Sequence, residues 1–227
     1  MVMSRASAPL IRSGRTDFNA LTNLALNTRI LWVPTNAGWG AAVTGTGATE
    51  QGPSYNAVYT GATASSTARL YTGGLRHDQG SAGGLDFTKR VLWAFTINRA
   101  AGNDAEVVAR VQLKAASTEG ALGAGGIGIQ ISNLTLVGES YNAGLSTTGT
   151  LDTVTVAEMD DIVVVCDQPN SKVDFYVNQV LVGSITTAAN IPSGNVAVRM
   201  ICSIIRGATG ATDSYLQTGN ILVATEY

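Results

Sequence analysis

Gly123, Gly125 and Gly128, in the stretch EGALGAGGIGIQIS (Glu119–Ser132), have the G-x-G-x-x-G spacing with which a loop can cradle a nucleotide phosphate. That chemistry needs a strand, then the glycines, then a helix whose free N–H groups meet the pyrophosphate. Here Ile127, Ile129 and Ile131 follow at period two, which predicts a strand instead. The glycines are therefore expected to join two strands, with backbone angles or close packing that other residues avoid. Two acidic groups come next: Asp104 and Glu106 in NDAEV, and Glu158, Asp160 and Asp161 in AEMDD. A retaining glycosidase needs two carboxyl groups about 5–5.5 Å apart, but these acids sit beside turn residues at strand edges and read as solvated. The single histidine, His77, lies in the polar loop GLRHDQG, and no G-x-S-x-G is present. Cys166 and Cys202 occupy separate apolar runs and form no C-x-x-C. Buried free thiols are expected there, with a disulfide left open should their strands be neighbours. Catalysis, a metal and a cofactor are not expected.

Binding needs less machinery. A sugar can stack its face on an exposed aromatic ring while Asn or Asp takes its hydroxyls. Trp39 in NAGWGA, Tyr55 and Tyr59 in PSYNAVYTG, and Tyr141 in ESYNAG sit in or beside loops and are the candidate glycan contacts. Trp93 alternates inward and is expected in the core, as is Trp32 in RILWVP.

The elements that would position these residues read as strands. VLWAFTIN sets Val91, Trp93, Phe95 and Ile97 against Leu92, Ala94, Thr96 and Asn98. EVVARVQLK sets Val107, Ala109, Val111 and Leu113 against a wetter face of Arg110, Gln112 and Lys114. RAAGND between them carries turn chemistry and predicts a hairpin. DIVVVCD, KVDFYVN and VLVGSIT predict a three-stranded meander over 162–186, joined by the turn QPNS and a tight Asn178–Gln179 connection. In QPNS, Asn170 is expected to take the unusual backbone angle. NVAVRMICSII and NILVATEY are expected as two last strands, YNAVYT and ARLYTG as two early ones. The one helix signal, TDFNALTNLALNT over 16–28, amounts to one or two turns.

Charged residues make up only 13% of the chain and the net charge is −2, so no global basic field draws in nucleic acid. No apolar run approaches the about 18–20 residues of a membrane span. MVMSRASAPLIRSGR has no apolar signal region, so synthesis in the cytoplasm is expected.

The order LDFTKRVLWAFTINR, then a strand pair, then DDIVVVCDQPNSKVDFYVNQVLVGS resembles the concanavalin A-like, laminin-G-like jelly roll. The likeness covers Val58 to Tyr227. Gln179 stands where the aromatic strand of that group ends in glycine. The resemblance implies an all-β, antiparallel sandwich of a group that includes lectins, glycan hydrolases and structural virion proteins. The hydrolases' E-x-D-x-x-E strand has no counterpart here, and neither has the acid-and-asparagine loop that would imply calcium. Residues 46–227 are expected to form the sandwich, and 1–45 an extended arm similar to those of bacteriophage structural proteins. In that arm Arg5, Arg12 and Arg15 would pair with neighbouring subunits while Leu10, Ile11 and Phe18 are buried, each worth about 1.5–3 kcal/mol. The leading expectation is a non-enzymatic bacteriophage protein located in the virion, decorating the capsid or forming part of the tail. It would assemble as a homo-oligomer, a trimer by analogy, against virion proteins such as the major capsid protein. The alternative is a lectin-like module on the same fold that binds host-surface glycans.

Overall fold

A computed structural model describes residues 28–32, 39–52, 55–72, 75, 84–100, 106–115, 118, 120–123, 125–154, 158–207 and 213–226. The strands run in the order β1 (Thr28–Trp32), β2 (Gly40–Thr44), β3 (Ala48–Gln51), β4 (Tyr55–Thr60), β5 (Thr67–Tyr71), β6 (Leu85–Asp86), β7 (Val91–Ala100), β8 (Val107–Lys114) and β9 (Gly126–Ser132). They continue as β10 (Thr135–Tyr141), β11 (Leu145–Thr147), β12 (Asp152–Thr153), β13 (Met159–Asp167), β14 (Lys172–Val177), β15 (Val180–Ile185), β16 (Asn195–Val196), β17 (Arg199–Arg206) and β18 (Ser214–Glu226).

Sixteen of these make two eight-stranded antiparallel sheets. Sheet I has the order β15-β14-β13-β7-β18-β4-β3, with β1 also on β18; sheet II has the order β11-β10-β9-β8-β17-β5-β2, with β12 also on β10. β6 and β16 form a separate pair. Alternation explains the layering. Val91, Trp93, Phe95 and Ile97 of sheet I and Val107, Ala109, Val111 and Leu113 of sheet II are all buried, in one shared hydrophobic cluster. The fold is thus an antiparallel β-sandwich of the jelly-roll kind.

The meander of β13, β14 and β15 is present, and Asn178 and Gln179 join the last two with φ of 47° and 73°, as a tight hairpin turn requires. Gln179 therefore fills a position that usually favours glycine. Residues 168–170 form a short 3-10 turn whose exit, Ser171, takes the left-handed angle (φ 53°) expected of Asn170.

Four expectations change. RAAGND is not a hairpin: β7 lies in sheet I and β8 in sheet II, so this link crosses between layers. Nothing in turn composition distinguishes the two. NVAVRMICSII is not one strand, because Asn195–Val196 pair with β6 while Val198 bridges Leu75 before β17 begins. The sandwich also reaches back before residue 46, since β1 pairs with β18 and β2 with β5. Finally, Gln112 and Lys114 are not on a wet face; both are buried. The helix expected over 16–28 and the arm residues Arg5, Leu10, Ile11, Arg12, Arg15 and Phe18 lie outside the described residues, apart from Thr28, which begins β1.

Candidate functional site

The face of sheet II that points away from the core carries charged side chains in rows fixed by strand register. Arg199, Lys114, Gly126 and Tyr141 stand opposite one another across β17, β8, β9 and β10. The next row runs Tyr71, Ile201, Gln112, Gly128, Glu139, and the third Arg69, Ser203, Arg110, Gln130, Val137. Alternation puts Arg110, Gln112 and Lys114 on this side because their neighbours Ala109, Val111 and Leu113 fill the core.

The two glycines of β9 shape the surface. Gly128 lies between Gln112 and Glu139, and its missing side chain lets Gln112 Nε2 donate across it to Glu139 Oε2 at 2.9 Å. A Cβ at Gly128 would sit 2.8 Å from Gln112 Cγ and 3.0 Å from the Val111 carbonyl oxygen. Gly126 likewise lies close against the β8 backbone. The glycine-rich stretch thus serves close approach between strands. Gly125, at φ 40°, makes the entry turn, and no helix follows.

Around these glycines the polar groups hold one another. Arg110 Nη2 donates to Gln130 Oε1 at 2.6 Å, and its Nε lies 3.9 Å from Glu139 Oε1. Lys114 Nζ donates to the Gly120 carbonyl at 3.1 Å. The Arg69 guanidinium lies 5.9 Å from the centre of the Tyr71 ring. Gln112, Lys114 and Glu139 are at most 2% exposed, whereas Arg110, Gln130, Tyr141 and Arg199 are half-buried. Gln112 Oε1 and the Ser203 hydroxyl are buried without a hydrogen-bond partner among the described residues.

Charge is unbalanced in these rows. The rows hold four cations, Arg69, Arg110, Lys114 and Arg199, and one carboxylate, Glu139. Burial penalises the Lys114 ammonium, Arg110 repels it, and its pKa drops to about 8 although Glu139 pulls the other way. Burial also lowers the Arg110 pKa, against the opposing pull of Glu139. The face is therefore a partly desolvated cationic surface with a free acceptor in its floor.

The residues singled out in the sequence scatter. Tyr141 ends β10 and closes the first row of this face. Trp39 does not present a ring to solvent: it is 8% exposed and packs in the shared core, because it directly precedes β2. Tyr55 and Tyr59 lie on β4 of sheet I, where both hydroxyls donate to Glu50, Tyr59 Oη to Oε2 at 2.7 Å. These bonds lower the Glu50 pKa and raise that of Tyr55; burial first, then the Glu50 bond, pushes Tyr59 to about 12. Asp160 and Asp161 hold a corner of sheet I: Asn178 Nδ2 donates to Asp160 Oδ1 at 2.8 Å, and the Asp161 N–H donates to Asn178 Oδ1 at 2.9 Å. Desolvation and then Asp160 raise the Asp161 pKa. Glu158 is exposed beside them, while Asp104 and His77 lie outside the described residues. Cys166 and Cys202 are free thiols in different sheets, which settles the disulfide question. Among the described residues no three His, Cys, Asp or Glu side chains gather as a metal site would require.

The charged face itself was a weaker signal. It lay in RVQLK, three polar residues at successive outward positions, beside a strand with glycine at two of its outward positions. Both patterns are visible in the sequence, but only register shows that they meet.

No known protein family matches the sequence, and no curated protein does. Solved structures do resemble the fold. An endo-β-1,4-glucuronan lyase from the fungus Trichoderma reesei superposes with a TM-score of 0.60 at 12% identity, over 88% of this chain and 96% of that one. The carbohydrate recognition domain of Emp47p gives 0.57 at 12% identity, over 89% and 98%. The Crh5 transglycosylase gives 0.52 at 14%, over 89% and 85%. The chain thus shares the antiparallel jelly-roll sandwich of these structures, a fold found among enzymes and binding domains alike.

Proposed function

We propose that the protein is a carbohydrate-binding sandwich, without turnover of its own, that takes an anionic glycan on the outward face of sheet II. The observation that supports this is the set Arg110, Gln112 and Lys114 on one strand, beside Gly126 and Gly128 of the next, with cations in excess over Glu139. Partly buried like charges are costly unless an opposite charge arrives. A uronate unit brings a carboxylate for Lys114 or Arg110 and hydroxyls for Gln112 Oε1 and Ser203, while Tyr141 offers its ring at the end of the row. Each charge-assisted hydrogen bond is worth about 1.5–3 kcal/mol. Two structural neighbours, a glucuronan lyase and a carbohydrate recognition domain, agree with this direction. The reading stops at binding because Glu139 is the one carboxylate in these rows, and it already accepts from Gln112. Hydrolysis by paired carboxyl groups needs two.

Calorimetry with a glucuronic acid oligomer, and with a neutral glucose oligomer of equal length, tests the proposal. Expected is binding of the uronate alone, weakened by salt as screening shortens the reach of charge, and weakened tenfold or more by Arg110→Gln. Equal binding of both oligomers, or of neither, overturns it. Formation of shortened or unsaturated uronate products would overturn the part that excludes turnover.

The virion-assembly reading, with a homo-oligomer fixed by Arg5, Leu10, Ile11, Arg12, Arg15 and Phe18, rests on residues outside those described and stays an expectation. Deleting residues 1–15 tests it. That reading requires loss of the oligomer with the sandwich still folded.

A further inference from the structure

The other outward face, on sheet I, has a break in its ladder. Gly219 pairs with Thr96, but the next registered pair is Leu222 with Ala94, so β18 holds one residue more than β7 here. This is a β-bulge, and Asn220 within it takes φ 50°. Bulges re-aim side chains and cluster near functional sites. Beside this one lies a cavity of about 190 Å³, lined by Tyr55, Thr96, Asn98, Met159, Gln217 and Asn220, with Gly219 in its wall.

Register explains why a hollow forms there. Across sheet I, Met159, Asn98 and Gln217 make one row; Asp161, Thr96, Gly219 and Tyr55 make the next. Gly219 supplies no side chain between Thr96 and Tyr55. Tyr55 is held by Glu50 and packs against Gly52, so its ring forms a fixed rim.

The lining carries no charged side chain, but it is rich in hydrogen-bonding groups. Three are side-chain amides, from Asn98, Gln217 and Asn220. Thr96 is only 8% exposed, and its hydroxyl and Asn98 Oδ1 have no partner among the described residues. A buried polar group without a partner costs about 1–3 kcal/mol, so a ligand that supplies hydroxyls is favoured. The Tyr55 ring and the Met159 thioether add an apolar side. Glu50 stands behind Tyr55, and Asp161 pairs with Thr96 in register, so negative charge is repelled.

We infer that this cavity is a second glycan site, one that takes a single neutral pyranose residue, on the opposite side of the sandwich from the charged face. It rests on different residues from the proposed uronate site and stands whether or not that site does. The probes are the methyl glycosides of glucose, galactose and mannose, titrated to millimolar concentration. The readout is the nitrogen-15 NMR spectrum of the full chain, with the Asn98, Gln217 and Asn220 side-chain amides assigned. The expected result is a saturable shift of these amides with at least one glycoside, lost in Asn98→Ala and in Gln217→Ala while the backbone spectrum elsewhere is kept. Glucuronic acid should leave the three amides unmoved. Absence of shifts with all three glycosides, persistence of the shifts in both variants, or an equal shift with glucuronic acid overturns the inference. A glucuronic acid oligomer added to the same samples reports on the Gln112 and Gln130 amides of sheet II, so the two proposals fail separately.

Discussion

The two sheets present almost interchangeable faces to the core and quite different faces outward. Inside, β-branched and aromatic residues from both layers merge into one cluster. Outside, sheet II carries Arg110, Gln112, Lys114 and Glu139, whereas sheet I carries a second apolar cluster of Leu92, Ala94, Val163, Leu222 and Ala224, next to the neutral cavity. An antiparallel sheet can hold a solvated outward face. Here neither outward face has that plain character. The contrast separates two roles of alternation. It fixes which side each residue faces, and so builds the sandwich, but it leaves the outward set free to take up different chemistry on each layer.

The strongest way to break this contrast is to attack what the sheets share. Trp93 is fully buried on β7, with its ring 4.3 Å from that of Phe95. Trp93→Ala is expected to cost about 3–5 kcal/mol. If the core is common, denaturant should unfold both sheets in one transition. Two transitions would show that the layers are independent. A smaller effect should fall on sheet II alone. Gly128→Val places new atoms against the Val111 backbone, which cannot swing aside as a side chain can. A cost of about 1–3 kcal/mol is expected, together with loss of uronate binding and no change at the sheet I cavity. Gly149→Val, where an added Cβ meets nothing within 4 Å, is the control and should change little.

These two tests also mark how far the sequence could be read. Trp93 was legible as core because VLWAFTIN alternates without interruption. The strands around it were legible for the same reason, and so was the Asn178–Gln179 turn. Gly128 was legible only as a residue in a strand-to-strand link. Its role depends on Gln112 and Glu139 meeting across β9, and that is a matter of register between segments far apart in the chain. The RAAGND link shows the same limit, since local turn chemistry is alike whether a chain returns to its own sheet or crosses to the other. Trp39 was misplaced because glycine and asparagine neighbours suggest a loop, while burial is decided by the layer opposite. Of the four aromatic glycan candidates, Tyr141 reached the charged face and Tyr55 the cavity rim. The cationic row that joins Tyr141 went unread because its members are spread over β8, β10 and β17.

Lys114 sharpens the comparison further, because its charge has opposite consequences for folding and for binding. Its folded pKa is about 8, below the ordinary 10.5. Between those values the unfolded chain holds the proton more firmly than the fold does, so stability should rise with pH across that window. Below pH 8 the ammonium is carried at a cost. In Lys114→Met this rise should vanish, read as a flatter dependence of melting temperature on pH. If Lys114 holds the uronate carboxylate, affinity should fall as pH passes 8. Lys114→Arg keeps its charge through this range and should flatten that fall. A stability slope of the opposite sign, or an affinity that ignores pH, would separate Lys114 from the proposed site. No residue in the sheet I cavity lining carries charge, so methyl glycoside binding there should not follow this profile.

The smallest expected effect is an absence of reaction, and it tests whether the outward differences reach inward. Cys166 lies on β13 in sheet I and Cys202 on β17 in sheet II, both fully buried. Burial pushes both thiols up to about 12; Asp167 adds to this at Cys166, while a hydrogen bond with Thr218 partly opposes it at Cys202. The thiolate is the reactive form, so neither should be labelled by a thiol reagent in the folded protein at neutral pH. Under mild denaturant, labelling then reports the opening of each sheet. Equal rates at the two positions are expected if the sandwich opens as a unit. Faster labelling of Cys202 would place the weaker layer in sheet II, where the core-facing strands also carry a partly buried cationic face. Filling that face with a uronate should then slow Cys202 more than Cys166, and equal slowing would mean that the ligand steadies the shared core rather than one side of it.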